Sequence, residues 1–202
     1  MSTRSPSSRG LSAAAAVALG CLLAVAVPGG ALAAPAQESS HKHHRWSCQV
    51  AVTAASMAPR QAPNFRLARA AVCLINERRA ARGLRRLRLN NRLSRAARRH
   101  TRDMVRHRYF AHVSRRGKDI VDRLYGTGYL GGRFSWTVGE NLAWGSGGRG
   151  TPRKIVRSWM QSPGHRRNIL DPRLRLIGVG IAAGSPEPDE PAEAAVYTTD
   201  FG

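Results

Sequence analysis

Residues 176–202 read LIGVGIAAGSPEPDEPAEAAVYTTDFG. Two runs within this stretch, Leu176 to Ala183 and Ala195 to Phe201, are short, apolar and bounded by Gly or Pro, which is how strands are punctuated. Between them Gly184 to Pro191 carries Pro186, Pro188 and Pro191, residues that cannot donate to a ladder and so mark the loop of a hairpin. A third strand signal runs from Ser135 to Ala143. Strands this few, in a chain whose other segments carry helical period, predict a layered α+β sandwich with helices covering a small sheet.

Working outward, the helical period begins at Arg66. Leu67, Ala71, Leu74 and Ile75 share one stripe, with Arg69, Glu77, Arg78, Arg79 and Arg82 placed mostly opposite, and Gly83 ends the helix. Asn90 or Asn91 can cap a second helix whose inward stripe is Leu93, Ala97, His100, Met104 and His107, ending near Tyr109. A short third helix is predicted from Asp119 to Tyr125 with Val121 and Leu124 inward, closed by Gly126 and Gly128. Thr151-Pro152 opens a fourth, cap followed by proline at the first helical position, and Ser162-Pro163 repeats that signal.

The amino-terminal third has a different character. Arg4 and Arg9 precede an apolar run from Leu11 to Val27, then Pro28-Gly29-Gly30 and the small residues Ala31-Leu32-Ala33-Ala34, the layout of a cleavable signal peptide over 1–33, with cleavage after Ala33 or Ala36. A membrane anchor needs about 20 uninterrupted apolar residues, whereas Gly20 and Pro28 break this run, so no transmembrane span is expected. Lipidation at Cys21 is disfavoured because the sequence stays apolar after it. Residues 34–65 read as an arm of Ala, Ser, Gln, Pro and His; His41-Lys42-His43-His44 within it reads as an exposed cluster rather than a metal site. The domain proper is 66–202.

Export is consistent with the cysteines. Cys48 and Cys73 survive cleavage, and an even count in an exported chain favours a disulfide between them. Closing that loop contributes roughly 3 kcal/mol by the chain-entropy argument. Of the 33 Lys and Arg, Arg4 and Arg9 lie in the leader, leaving 31 against 12 Asp and Glu, a formal charge of +19. Such a charge steers a protein towards anionic polymers. For an exported protein these are envelope polymers and lipid head groups; the scattered arginines and the lack of a binding motif argue against specific nucleic-acid recognition.

Three segments carry residues that packing does not require: Tyr109-Phe110-Ala111-His112, Gly139-Glu140-Asn141-Leu142-Ala143-Trp144-Gly145, and Trp159 to Leu170 with Ser162-Pro163-Gly164-His165. A glutamate between Val138 and Leu142 in a strand needs partners, since a buried charge is costly alone, and His112 and His165 are the candidates. Ser162 and Ser114 beside those histidines suggest a serine hydrolase, but Ser162 has the position of a helix cap, Ser114 lies in a polar loop, and neither sits in a nucleophile elbow. Gly145 to Gly150 lacks the lysine of a nucleotide loop and reads as a flexible cleft rim.

These segments, together with Cys73-Leu74-Ile75-Asn76-Glu77-Arg78, Asn168-Ile169-Leu170, Ile177-Gly178-Val179-Gly180 and Tyr197-Thr198-Thr199-Asp200-Phe201-Gly202, closely resemble the bacterial branch of the CAP (SCP-like) family. That superfamily includes cysteine-rich secretory proteins, antigen 5 and the plant pathogenesis-related group one proteins. The resemblance spans nearly all of 66–202. It implies a three-layer α–β–α sandwich with a small antiparallel sheet, and a cleft in which His112 and His165 match the family's two histidines and Glu140 one of its acids. Asp119 stands where the second acid is expected, shorter than the usual glutamate.

Two readings of that cleft follow. His112, His165 and Glu140 can ligate Zn²⁺ with one position open, the arrangement of several zinc hydrolases; equally, neutral histidines bonded to Glu140 satisfy the same groups without metal. The leading expectation is a secreted or cell-wall-associated, monomeric, non-enzymatic domain that binds a lipid, a glycan or another envelope component. A metal-dependent hydrolase and a purely structural surface protein are the alternatives.

Overall fold

The computed structural model describes residues 53–132, 134–188 and 193–202. The leader, the His41–His44 cluster, Cys21 and Cys48 lie outside the described residues, so neither the cleavage site nor the Cys48–Cys73 bridge is read from the structure. Among the described residues no helix is long and apolar enough to cross a membrane.

In chain order the elements are α1 (Asn64–Ala80), β1 (Arg88–Leu89), α2 (Asn91–His107), α3 (Ile120–Tyr125), β2 (Gly139–Ser146), a 3-10 turn (Gly147–Gly150), α4 (Pro152–Gln161), α5 (Pro163–Leu170), β3 (Leu176–Ala183) and β4 (Ala194–Phe201). The four strands form one sheet in the order β1-β3-β4-β2. The β3–β4 hairpin is its centre, with Val179 opposite Thr199, and β2 pairs antiparallel to β4 with Glu140 opposite Asp200. The sheet is mixed rather than wholly antiparallel, because Arg88 and Leu89 add a short parallel strand beside β3. Two residues are too few to show a periodicity, which is why this segment reads as a connection in the sequence.

Strand alternation separates two faces. Ile177, Val179 and Ile181 of β3, with Tyr197 and Phe201 of β4, join Leu67, Ala71 and Ile75 of α1 and Ile155, Val156 and Trp159 of α4 in the main apolar core. The core also takes in Ala54, Ala55 and Ala62, so packing begins some ten residues before the helical period does. The other face is pressed against α2 with almost no space: a Cβ on Gly178 would lie 2.2 Å from the Leu93 carbonyl carbon, and one on Gly180 2.4 Å from that of Ala97. The glycine pair two residues apart is therefore a seat for a helix backbone.

The predicted caps hold in part. Asn90 accepts from the amides of Arg92 and Leu93, and Thr151 from that of Lys154. Ser162 stands at the cap position of α5 without making the side-chain bond. Arg79 corrects the expected helix face: it is fully buried, not solvent-facing. Its guanidinium donates to the carbonyls of Arg85, Ile169, Asp171 and Leu174 at 2.8, 2.7, 3.0 and 3.1 Å. A planar group with five donors reaches four orphan carbonyls where an apolar residue would leave them unsatisfied. Burial pulls its pKa below the usual arginine value.

Candidate functional site

Three local structures deliver the site. Arg108, in the left-handed region at φ 50°, stops α2 and starts the loop that carries His112. Alternation along β2 puts Glu140 on the α2 face beside Asp200, its partner in register. α5, opened by Pro163, carries His165 and Asn168 alongside β2. Asn168 Nδ2 donates to the carbonyl of Glu140 at 3.1 Å and to Asn141 Oδ1 at 2.9 Å, while Asn141 Nδ2 donates to the carbonyl of His165 at 3.1 Å. A Cβ at Gly139 would sit 3.0 Å from Asn168 Cγ, so the Gly-Glu-Asn order follows from the closeness of α5. With Trp159 Nε1 donating to the Leu142 carbonyl at 3.0 Å, α4 and α5 cover part of the edge that β2 would otherwise leave open.

Glu140 is the hub. Its side chain is 3% exposed, and both oxygens are committed: His112 Nδ1 donates to Oε1 at 2.7 Å and Arg123 Nη2 to Oε2 at 2.5 Å. Arg123 also donates through Nη1 to the carbonyls of His112 and Lys118, at 2.8 and 2.9 Å, so one guanidinium holds both the carboxylate and the loop bearing the histidine. His112 itself stays 60% exposed. Its Nδ1–H is used by Glu140, which leaves Nε2 as the nitrogen available to a ligand.

Behind this pair lies His100, on the buried stripe of α2. Its Nε2–H donates to the carbonyl of Ala111 at 2.9 Å, bracing the residue before His112 from below. Thr101 and Thr198 share a hydrogen bond of 2.7 Å across the α2–β4 contact.

The electrostatics follow from burial and these partners. Burial pushes the Glu140 pKa up, but the His112 hydrogen bond and the Arg123 and His100 charges outweigh it, so Glu140 lies below the usual glutamate value. His100 is lowered, first by burial and then by Arg123, against the opposing pull of Glu140. His165 is lowered by burial and then by the charge of His112, which places the two histidines within electrostatic reach of one another. Asp200 is fully buried, no donor reaches either carboxyl oxygen among the described residues, and burial followed by the Glu140 charge raises its pKa well above the aspartate range.

The sequence-predicted residues are thus sorted. His112 and Glu140 meet directly, and His165 stands on the neighbouring helix without a side-chain bond to either among the described residues. Asp119 is not brought to them. It caps α3, accepting from the Asp122 amide at 3.0 Å while the Asp122 carboxylate accepts from the Asp119 amide at 3.2 Å, a reciprocal capping box. The α3 residue that reaches Glu140 is Arg123, one turn later. The sequence offered a signal for it: a buried carboxylate in so basic a chain is most simply balanced by an arginine.

The expected Zn²⁺ ligand set does not fit this geometry. Among the described residues no three of His, Cys, Asp and Glu gather to hold a metal, and a guanidinium occupies the second oxygen of Glu140 where an open ligand would be needed. Ser114 is a turn residue, its Oγ accepting from the Lys118 amide at 3.1 Å. The glycine-rich segment is a packed 3-10 turn rather than a loose rim: a Cβ on Gly150 would lie 2.5 Å from the Gly145 carbonyl oxygen, and Tyr197 Oη donates to the Gly150 carbonyl at 2.8 Å.

Comparison with known proteins agrees with this architecture. Over 115 residues, 55% of this chain, the sequence is 38% identical to an uncharacterized Bacillus subtilis protein, YkwD, of which the match covers 41%; the chain therefore spans under half of that relative. Among solved structures, an outer surface protein of Borrelia burgdorferi superposes with a TM-score of 0.58 at 17% identity, covering 72% of this chain and 98% of its own. An extracellular SCP-domain protein of Bacillus anthracis superposes at 0.52 with 23% identity, covering 69% of this chain and 43% of its own. Residues 72–199 match the sequence profile of the cysteine-rich secretory protein family, CAP. With that match covering most of the chain and its motifs folded around one hub carboxylate, the protein belongs to the CAP family.

Proposed function

We propose that this protein is an exported, monomeric binding module that takes a cell-envelope component, a lipid, a glycan or an anionic polymer, at the cleft formed by His112, Glu140 and His165. One observation carries the reading: both oxygens of Glu140 are already bonded, to His112 and Arg123. A carboxylate held below its ordinary pKa with no free oxygen is a poor general base at neutral pH, whereas the half-open imidazole of His112 is well placed to recognise a ligand. The strongly basic surface then concentrates anionic partners around the cleft. The leader in the sequence and the extracellular or outer-surface descriptions of structural neighbours support export. A Cys48–Cys73 bridge belongs to the same reading and is checked by the mass gained on reduction.

The test is retention of the mature protein on isolated envelope polymers and on anionic vesicles across a salt series. Retention at low salt that weakens as salt rises, and that falls several-fold in His112→Ala, is the expected result. No retention even at the lowest salt would sink the binding reading. Stoichiometric zinc in the purified protein, with a melting temperature lowered by chelator in wild type and not in His112→Ala, would instead favour the metal-dependent hydrolase.

A further inference from the structure

A second concave feature lies away from His112. It is a groove of about 500 Å³ between the far end of β2 and the outer face of α4, lined by Trp144, Arg149, Lys154, Ile155, Arg157, Ser158 and Gln161. On α4, positions 154, 157, 158 and 161 recur at helical spacing and so form one continuous strip. Arg149 reaches in from the 3-10 turn, its Nη2 3.4 Å from Ser146 Oγ. Among the described residues no carboxylate lines the groove, and neither Arg149, Lys154 nor Arg157 forms an ion pair. The pocket beside α5 differs in holding a carboxylate, Asp171, which pairs with Arg173 at 2.7 Å. Three exposed cations around one concavity repel each other, and an anion placed among them relieves that repulsion.

We propose that this groove is a binding site for an anionic glycan chain, distinct from the His112 cleft. The three cations take its carboxylate or phosphate groups. The half-buried indole of Trp144 offers a flat apolar face for the C–H side of a sugar ring, and Ser158 and Gln161 supply hydrogen bonds to hydroxyls. A bilayer surface is too flat to enter the concavity. A chain can lie along it, following the β2 edge.

The experiment is titration calorimetry of the mature protein with oligogalacturonate and with a phosphorylated mannan, alongside neutral dextran and a DNA duplex. Both anionic glycans should bind, with dextran and the duplex at least tenfold weaker. R149Q/K154Q/R157Q should lose at least tenfold in affinity, and Trp144→Phe several-fold. R78Q/R95Q/R99Q, which removes three exposed arginines elsewhere, should bind as wild type does. The proposal is overturned if the triple groove variant binds unchanged, if the control triple loses as much, or if the duplex binds as tightly as the glycans. Loss in His112→Ala alone would assign the glycan to the cleft and reject the groove.

Discussion

The two faces of the β3–β4 hairpin are built from alternate residues of the same strands, yet they do opposite things. On one face Ile177, Val179, Tyr197 and Phe201 meet α1 and α4 in an apolar core whose largest member, Trp159, is fully buried. On the other, Gly178 and Gly180 admit the α2 backbone, and Thr198, Asp200 and Glu140 fill the space beside it with polar groups. The apolar face tolerates loss of fit in proportion to the volume removed. The polar face is conditional: Thr198 and Glu140 each depend on a named partner, and leaving such a group unpaired costs more than the bond was worth.

That contrast can be broken most forcefully at the glycines. Gly180→Ala places a methyl inside the van der Waals shell of the Ala97 carbonyl, and a loss of about 3 kcal/mol or more is expected, measured by urea denaturation. An effect below a tenth of that would mean α2 is free to move away. Next comes Glu140→Gln, which keeps the shape but leaves Arg123, 9% exposed, without its counter-charge. About 2 kcal/mol should be lost at neutral pH, below the usual range for breaking a buried pair because His112 is open to water. Since the folded pKa of Glu140 is lowered, its contribution is present above the unfolded value and fades as pH falls through the folded one, so the wild-type and variant curves should converge in acid.

The smallest and most diagnostic effect is at Asp200. Its folded pKa is raised, so the folded state holds a proton that the unfolded chain releases near pH 4. Stability associated with Asp200 is therefore full below that point and declines as pH rises towards the folded value. Asp200→Asn removes the penalty while keeping a donor able to face Glu140. A gain of about 1 kcal/mol at pH 7 is expected, a few degrees in Tm for a chain of this size, shrinking towards zero near pH 4. A gap that does not change with pH would show that the carboxyl is not the source.

Much of this was readable in residue order. Leu176 to Ala183 stands as read, Thr151-Pro152 opens its helix at the stated residue, and a carboxylate inside a strand points to His112 and His165 as its partners, of which His112 is the one that bonds it. Those features are local, set by alternation, by caps and by the intrinsic cost of burying charge, and a linear pattern records them. Arg79, Arg123 and Asp200 were not legible in the same way. An arginine on a helix looks the same in sequence whether it faces water or four carbonyls contributed by segments up to 95 positions away, and Asp119 looked as eligible for the cleft as any acid until the α3 cap claimed it. By itself the sequence determined the layered fold, the family and the hub carboxylate. Which cation answers Glu140, which acid lies buried against it, and where exposed cations gather around a groove were decided by tertiary structure, because partner choice depends on distances between groups far apart along the chain.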